Sequence, residues 1–454
     1  MIGIAVDSFF GMKKIFVVIA LISQTAAMGQ KAWTYEECIR YALENNLDLA
    51  NARYAVEMDR LDHKAALGVF LPSVGASSGY DINTGKTVDP NTNDIVEQEF
   101  FSNSYGISAN LLLFNGFRKL NQAAFAKYNL TASKAALEKA KNELAFLVLN
   151  ACVTHLIQKG LWDIQLEQKE LSAREVFRTK KHIEIGLASG SDLYEAEARL
   201  AKDEFLLVQL DNMAKKSLFQ LQKLMNMPSR APLAISAIVA GPLDGAGLAS
   251  DSVFSAAKEK MPQIQMLERR FYAAQKQVRI AQSALTPSLS AYGGISAGYY
   301  ETSTNEFGNV VPFKEQLKNN RRMSYGLSLQ IPLFAGFGRR IDVQRAIVAR
   351  DQTNNALQIG LQQLEYDIHE AWLDLQGAES EYLSALKGEA AMRQAFKIAE
   401  KKREKGLIGM MEYDEARNNL GVAAAESLRT NLQLFLAEKT MKFYLTGQII
   451  STNE

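Results

Sequence analysis

Side chains able to carry out chemistry are few in this sequence and do not cluster. Four histidines stand apart from one another and from other metal-ligating residues: His63, His155, His182 and His369. No His-Glu-x-x-His pattern, Walker A loop or dinucleotide-binding glycine fingerprint occurs, so the usual ways of holding zinc, a nucleoside triphosphate or NAD are missing. The sequence therefore predicts that the chain is not an enzyme and holds neither a metal nor a cofactor.

The two cysteines, Cys38 and Cys152, are far apart in the sequence. Two distant thiols do not form the dense cysteine framework of small disulfide-rich proteins. We interpret both as small buried apolar residues, a role in which free cysteine is common.

The composition fits a folded protein without a nucleic-acid partner. Hydrophobic residues make up 47% of the chain and charged residues 22%, which is too apolar for a disordered protein. The formal net charge is +1, whereas nucleic-acid-binding domains usually carry a clear basic excess.

The N-terminus has the residue order of a secretory signal. Two lysines precede an apolar run over 15–22, and small residues follow that run. We expect a signal peptide over 1–29, with Met12 as an alternative true start. No later run of about 18 uncharged apolar residues occurs, so a membrane-inserted form of the chain is expected to be a barrel rather than a helix bundle.

The chain contains one unit twice. The segments 105–117 and 325–337 share Tyr, Gly, Ser, Leu, Phe, Gly and Phe in register. The same offset carries the Gly-Leu pair at 186–187 onto the pair at 406–407. A constant offset over about 100 residues indicates duplication. The domains expected from it are a first repeat over 33–227, a linker over 228–250, a second repeat over 251–447 and a tail over 448–454.

Within each repeat the pattern changes from strand-like to helical. Apolar residues alternate with glycine and serine in hairpins at about 73–114 and 288–334, and each strand has the length that spans a bilayer when tilted. Leucine and alanine then recur every seven residues in the long segments 117–226 and 337–446, which favours coiled-coil packing. A short helix precedes each hairpin, from about 35 to 67 in the first repeat.

Four membrane strands cannot close a barrel, because the smallest closed barrels have eight. An open sheet in lipid would leave its edges unpaired. The strands must therefore be shared between subunits. The strand count alone does not fix the number of copies, since two, three or four would all suffice.

Four segments resemble motifs of the TolC-like outer-membrane efflux proteins and follow one another along the chain in the family's order. Leu-Phe-Asn-Gly at 113–116 and Pro-Leu-Phe-Ala-Gly at 332–336 resemble the family's strand-to-helix junctions. Gly-Leu-Ala-Ser-Gly-Ser-Asp at 186–192 resembles its periplasmic tip, and 33–46 resembles its usual mature start. The resemblance covers nearly all of the chain that follows the signal.

This resemblance implies the fold and the function. The fold would be mainly α with a membrane β part: a homotrimer whose long helices form an α-barrel continuous with a 12-strand β-barrel, four strands per chain. The function would be that of a passive exit duct in the outer membrane of a Gram-negative bacterium, with helices reaching into the periplasm. Its partners would be outer-membrane lipid, a periplasmic adaptor (membrane fusion) protein and an inner-membrane pump of the RND or ABC type. The alternative is an exported coiled-coil scaffold without a pore.

The resemblance also implies an acidic pore constriction at the helix tips. The matching carboxylates are Glu412 and Glu415 in the second repeat and Asp192 and Glu195 in the first. Rings of such groups around a pore axis select cations. The alternative is that they are solvated acids at helix starts, where negative charge is favoured.

Two further sets of residues follow from the matched motifs. The tips Gly186, Leu187, Gly406 and Leu407 are expected to contact the adaptor, or else only to end their helices. The aromatic junction is expected to pack where strands meet helices, as part of an interfacial aromatic girdle or as simple packing: Phe114, Gly116, Phe117, Phe334, Gly336 and Phe337.

One departure from the family pattern affects the gate. Ile408 stands where its best-known members carry arginine, and Arg403 stands where they carry a tyrosine. The usual latch bonds cannot be transferred, and a bond from Arg403 to Asp192 is one replacement to test.

Overall fold

The structure is a computed structural model that describes residues 32–88, 93–97, 99–238 and 250–449. The expected signal peptide, 1–29, lies outside these residues, as do 239–249 of the expected linker and 450–454 of the expected tail.

Nine helices and six strands occur in the described part of the chain. The helices are α1 Tyr35–Asn45, α2 Leu47–Gly68, α3 Arg118–Glu184, α4 Gly190–Leu224, α5 Ser250–Lys260, α6 Pro262–Ser283, α7 Phe313–Asn319, α8 Gly338–Glu404 and α9 Met410–Thr446. The strands are β1 Ser73–Asn83, β2 Lys86–Val88, β3 Ile95–Glu97, β4 Phe100–Phe114, β5 Ser288–Tyr300 and β6 Arg322–Gln330.

The first helical segment is broken, where the sequence predicts one continuous helix. Thr34 starts α1 with a capping box to Glu37. Asn46 then leaves the helical conformation, with ψ at 128°. Its side chain donates to the carbonyl of Leu224 and accepts from the amide of Leu49, so it caps α2 while tying the break to α4. Asparagine bonds its neighbouring backbone readily, which explains why the break falls here.

The two longest helices show the duplication directly. Helices α3 and α8 each contain 67 residues, and each follows a left-handed glycine, Gly116 at φ 65° and Gly336 at φ 60°. The predicted fold class, mainly helical with long helices and a few strands, is confirmed.

Four strands form one antiparallel sheet in the order β1-β4-β5-β6. The hairpin of the first half, β1 with β4, joins that of the second half through the β4–β5 pair, where Ile107 lies opposite Ile295. The edges of this sheet are β1 and β6, of 11 and 9 residues. A separate pair, β2 with β3, lies within the connection between β1 and β4.

One face of the sheet is apolar and open to solvent in the single chain. Ile107, Ile295 and Met323 lie opposite one another across three strands and are all exposed. The other face carries glycine and serine, and it is tight: a Cβ on Gly79 would lie 2.8 Å from the Ser104 hydroxyl.

The chain divides into two compact units. The first consists of 1–51, 138–261 and 363–454, and the second of 52–137 and 262–362. The second unit contains the four-stranded sheet. The first contains the helix tips at 186–187 and 406–407. It has a core on α1, α3 and α4 that includes Ile39, Leu149 and Leu221.

One described helix, α3, contains an 18-residue stretch apolar enough to span a membrane, and 39% of that stretch is buried within the chain. A core helix of a soluble assembly passes the same composition test. The expectation that the chain has no spanning helix therefore stays a prediction.

Candidate functional site

Both helix tips end in the same hydrogen-bonded turn. In the first, the Leu187 amide donates to His182 and the Gly186 amide to Ile183. In the second, the Leu407 amide donates to Lys402 and the Gly406 amide to Arg403. These are the paired bonds of a Schellman motif, which needs a left-handed residue at the glycine position. Gly186 and Gly406 have φ of 75° and 69°, which explains why glycine occurs at this point in both repeats.

The leucines that follow the tip glycines point into solvent. Leu187 is 72% exposed and Leu407 is 69% exposed. The alternative interpretation is that each leucine makes a capping contact with the preceding helix. Any such contact leaves the side chain exposed. Their proposed role in binding a partner stays a prediction.

The next helices begin differently at the two tips. Ser189 caps α4, and the Asp192 carboxylate accepts hydrogen bonds from the Ser189 amide at 2.8 Å and hydroxyl at 2.9 Å. These bonds hold the pKa of Asp192 below its ordinary value. At the other tip Gly409 caps α9 without any side-chain bond, so Glu412, the counterpart of Asp192, is left free of a capping role.

The remaining candidate acids are exposed. Glu412 and Glu415 lie one turn apart on α9, on the face away from the buried Tyr413, and Glu195 is exposed on α4. Asp192 is also exposed but is anchored by its cap. Among the described residues, no side-chain hydrogen bond or ion pair holds Glu412 or Glu415, and their role as a ring stays a prediction.

Arg403 contacts Glu175 and Ile408 rather than Asp192. Its Nε lies 3.4 Å from Glu175 on α3, and its Nη1 donates to the carbonyl of Ile408. Asp192 bonds to Ser189 instead. The candidate replacement bond, Arg403 to Asp192, is not formed in the single chain, where Asp192 accepts the capping bonds of Ser189 and Arg403 contacts Glu175.

Ile408 is buried in a small apolar cluster at this end of the first unit. It packs with Leu171, Phe396, Ala399 and Tyr413. Burial raises the pKa of Tyr413 to about 12, so its phenol stays neutral. An isoleucine at this position thus joins the packing between α3, α8 and α9, where an arginine could not be buried without a partner.

Beside this cluster lies an ionic cluster that the sequence did not reveal. It consists of Ser172 and Glu175 on α3, Arg199 and Asp203 on α4, Arg403 on α8, and Asp414 and Arg417 on α9. Arg417 contacts Asp203 at 3.3 Å and Asp414 at 3.8 Å, and it donates to the Ser172 hydroxyl. Arg199 pairs with Asp414. Four helices are thus joined by charged groups.

The centre of the ionic cluster, Asp414 with Arg417, is buried, which makes the cluster sensitive to the loss of either charge. Asp414 and Arg417 are 2% and 3% exposed. Burial raises the pKa of Asp414, although Arg199 and Arg417 lie beside it. Buried charges are tolerated only when paired, and removing one partner leaves an uncompensated charge. The cluster can therefore hold four helix ends in one fixed arrangement.

The duplication contains the signal that could have found this cluster. At the offset that aligns the tips, Asp414 and Arg417 fall on Tyr194 and Glu197 of the first half. The second half thus carries a new acid–base pair where the first half has an exposed tyrosine and a glutamate of opposite charge to the arginine. A departure from internal repetition thus marks a structural difference between the two tips.

The strand-to-helix junctions also differ between the halves. A Cβ added to Gly116 would lie 1.8 Å from the Thr286 hydroxyl. A Cβ added to Gly336 would have no atom within 4 Å other than those of its chain neighbours. Phe114 and Phe117 contact each other edge to face at 5.4 Å. Phe334 and Phe337 are 85% and 70% exposed. Phe114 and Phe117 are also exposed, at 40% and 61%. The phenylalanines of both junctions are thus exposed in the single chain, and their role in a girdle stays a prediction.

Two Gly-x-Ser-x-Gly sequences, at 75–79 and 294–298, match the pattern around hydrolase nucleophiles. Both lie inside strands β1 and β5. The hydrolase pattern requires a sharp strand-to-helix turn that exposes the serine. His155, on α3, contacts Ala214 and Ser217 on α4 through Nδ1 and serves packing there. No group of three metal-ligating side chains occurs among the described residues.

Comparison with known proteins decides the family. The family model described as outer membrane efflux protein matches residues 38–227 and again 253–447. The chain belongs to the outer membrane efflux protein family. Similar relatives of this efflux protein include Nodulation protein T of Rhizobium leguminosarum bv. trifolii, 25% identical over 404 residues, 86% of this chain and 80% of that protein. Outer membrane efflux protein BepC of Brucella suis biovar 1 is 22% identical over 422 residues, 91% of this chain and 85% of that protein.

Solved structures show the same fold. The outer membrane protein VceC of Vibrio cholerae superposes with a TM-score of 0.77 at 14% identity, covering 91% of this chain and 96% of that one. The CmeC outer membrane channel of Campylobacter jejuni superposes with a TM-score of 0.80 at 16% identity, covering 92% and 87%. By its family, this efflux protein is an outer-membrane protein and not an enzyme, as the sequence predicts.

Proposed function

We propose that three copies of this efflux protein form a passive exit duct, which receives its substrates from a periplasmic adaptor and an inner-membrane pump. The four strands of each chain contribute to one 12-strand barrel in outer-membrane lipid. The long helices of the three chains continue the duct into the periplasm. Any energy for transport comes from the pump.

The open sheet is the observation that carries this proposal. Its edge strands, β1 and β6, present unpaired backbone groups along 11 and 9 residues. Its apolar face is exposed in the single chain. Lipid cannot satisfy backbone donors and acceptors, so a membrane sheet must close on itself or on neighbours. Pairing β1 of one chain with β6 of the next satisfies both edges, and the apolar face then meets lipid.

The tips support the proposed contact with an adaptor. Two exposed leucines, Leu187 and Leu407, stand beside left-handed glycines that fix the turn. Exposed apolar groups on a rigid turn suit binding to a partner helix. The pump type, RND or ABC, would follow from the adaptor that binds.

The acids on α9 support a cation-selective constriction. Glu412 and Glu415 are exposed, and neither caps a helix. Three copies would place at least three carboxylates around the axis, a known means of selecting cations. Asp192 and Glu195 would contribute less, because Asp192 is held by Ser189.

Single-channel conductance in planar bilayers tests this function. We expect a small, cation-biased conductance that trivalent metal ions block, and loss of the block in Glu412→Ala/Glu415→Ala. The matched control is Glu426→Ala, which removes an exposed carboxylate farther along the same helix. A block that survives the double substitution would refute the ring, and a protein without conductance would favour the scaffold.

A further inference from the structure

A cavity of about 530 Å³ lies in the second unit, where the four-stranded sheet meets the long helices. Leu112, Ser288 and Gln330 line it on the side of the sheet. Arg118 on α3 and Arg339 on α8 line it on the side of the helices. None of the described residues that line this cavity is acidic. The cavity therefore has two cationic side chains in its wall and no carboxylate to neutralise them.

The register of the sheet shows which face the cavity adjoins. Leu112 lies opposite Ser290, and Ser288 lies opposite Gln330. Paired residues, and residues two apart on one strand, share a face, so all four belong to the glycine-and-serine face. Cations at the edge of a membrane often bind lipid headgroups. This cavity instead adjoins the face that is turned away from lipid in the proposed barrel, which is the face toward the lumen.

The two arginines of the cavity have no carboxylate partner in the described part of the chain. Arg339 donates from Nη1 to the carbonyl of Ala284 at 2.8 Å, which fixes its guanidinium group without neutralising it. The next acid along α8 is Asp342, and it pairs with Arg345 at 3.3 Å instead. Arg118 is exposed to solvent at the start of α3. Both guanidinium groups thus keep donors that can bind an anion.

A third cation is buried beside the cavity. Lys119 is only 7% exposed, and its Nζ donates to the carbonyl of Leu112 at 2.6 Å. The same Nζ lies 5.8 Å from the centre of the Phe70 ring. No carboxylate among the described residues forms an ion pair with it. Buried charges are normally paired, so an ammonium group held by a carbonyl and an aromatic ring indicates that negative charge is supplied from outside the chain.

These cations do not serve to stabilise the helices on which they lie. Arg118 and Lys119 begin α3, Arg339 and Arg340 lie in the first turn of α8, and neither helix has an acid in its first turn. Positive charge is unfavourable at the start of a helix, where the backbone dipole is itself positive. The segment 331–350 carries four arginines and one acid, although the whole chain has a net charge of only +1. A role other than helix stability accounts for this local excess.

We infer that the cavity binds oxyanion groups, carboxylate or phosphate, of solutes in the duct. The planar guanidinium group matches both kinds of oxyanion, and rings of arginine and lysine attract anions in pores. The side-chain amides of Gln122 and Gln330 add neutral donors to the wall. The site differs from the acids Glu412 and Glu415 and has the opposite charge. Its direction toward the lumen rests on the proposed function, whereas binding of an anion does not require a duct.

Thermal unfolding of the detergent-extracted protein tests binding without any need for conduction. The probe is inorganic pyrophosphate, compared with sodium chloride at equal ionic strength. We expect pyrophosphate to raise the unfolding midpoint above that in chloride, since it binds the folded form. Arg118→Gln/Arg339→Gln should abolish this difference, and Arg118→Gln alone, at an exposed position that tolerates substitution, should reduce it. The control, Arg350→Gln, removes an arginine that pairs with Asp351 and should keep it. No rise above chloride in the wild type, or an equal rise in all variants, would overturn the inference.

Single-channel conductance tests whether the cavity faces the lumen. We expect pyrophosphate to lower the conductance of the wild type and of Arg350→Gln. The half-blocking concentration should rise on the order of tenfold for each arginine removed in Arg118→Gln and Arg118→Gln/Arg339→Gln, because each removes a hydrogen bond to a charged group. A block that is unchanged in the double variant would overturn the placement of the site in the lumen. A protein that does not conduct would refute the duct, and the unfolding midpoints would then decide the anion site alone.

Discussion

Asp414 on α9 forms an ion pair with Arg199 on α4, and this pair joins the second half of the chain to the first. The Asp414 side chain is 3% exposed, and Arg417 lies on its other side. The contact belongs to the ionic cluster that connects four helices near the tips. Its burial distinguishes it from the many exposed ion pairs along the long helices.

Removing Asp414 should be far more costly than removing an exposed acid. Asp414→Ala leaves Arg417 buried with less compensation, so we expect the free energy of unfolding to fall by about 3 kcal/mol. The control is Asp342→Ala, which breaks an exposed pair with Arg345 and should cost less than about 1 kcal/mol. Urea unfolding in detergent, followed by circular dichroism, measures both. Equal losses would show that the ionic cluster does not stabilise the helix ends.

The two junction glycines should respond differently to the same substitution. Gly116→Ala adds a methyl group that collides with Thr286. It also places alanine in the left-handed backbone conformation, which is strained. Gly336→Ala meets no neighbour and should cost only the strain, about 1 kcal/mol. The prediction is a clearly lower thermal midpoint for Gly116→Ala than for Gly336→Ala. Similar midpoints would mean that the packing at Thr286 relaxes without cost.

The pairing of α3 with α4 should weaken as the pH falls. Burial lowers the pKa of His155, so the folded protein favours the neutral ring more than the unfolded chain does. The stability from neutral His155 is therefore complete above the unfolded pKa, about 6.5, and is lost as the pH falls below that value.

Substitution isolates this contribution from the other titrating groups. Between pH 7.5 and 5.5 we expect the free energy of unfolding to fall more for the wild type than for His155→Gln, which keeps a polar side chain that does not titrate. Parallel pH profiles for the two proteins would contradict the prediction.

The exposed tip leucines should lie next to a partner in cells. Replacing Leu187 or Leu407 with the photo-cross-linker p-benzoylphenylalanine should give one cross-linked periplasmic protein of the adaptor class on illumination. The control position is Leu373, which is also exposed but lies within α8. Equal cross-linking from all three positions would indicate that the tips are not the specific contact.

The sequence predicted those features that depend on local chemistry or on repetition. Alternation with glycine and serine located the strands, and the Gly-Leu pairs located both tips, because left-handed turns require glycine. The aligned halves also showed Glu412 as the counterpart of Asp192. They could not show that Ser189 engages one of these acids while Gly409 leaves the other free.

Features that depend on helices brought together from distant parts of the chain were missed. Asp203 and Arg417 meet only when α4 packs beside α9, and no local pattern encodes that packing. The break at Asn46 was missed for the same reason, since the Asn46 side chain is tied to a carbonyl of α4. Charged side chains in long helices usually face solvent, which made the buried ones hard to recognise.

The mass of the detergent-extracted protein, measured by native mass spectrometry, tests the central claim most directly. The proposed 12-strand barrel, with four strands from each chain, predicts a complex of three chains that requires detergent for extraction from outer membranes. A water-soluble monomer would contradict the shared barrel, because β1 and β6 would then have no partner strands, and a water-soluble dimer would contradict it because a barrel with an apolar outer face requires detergent.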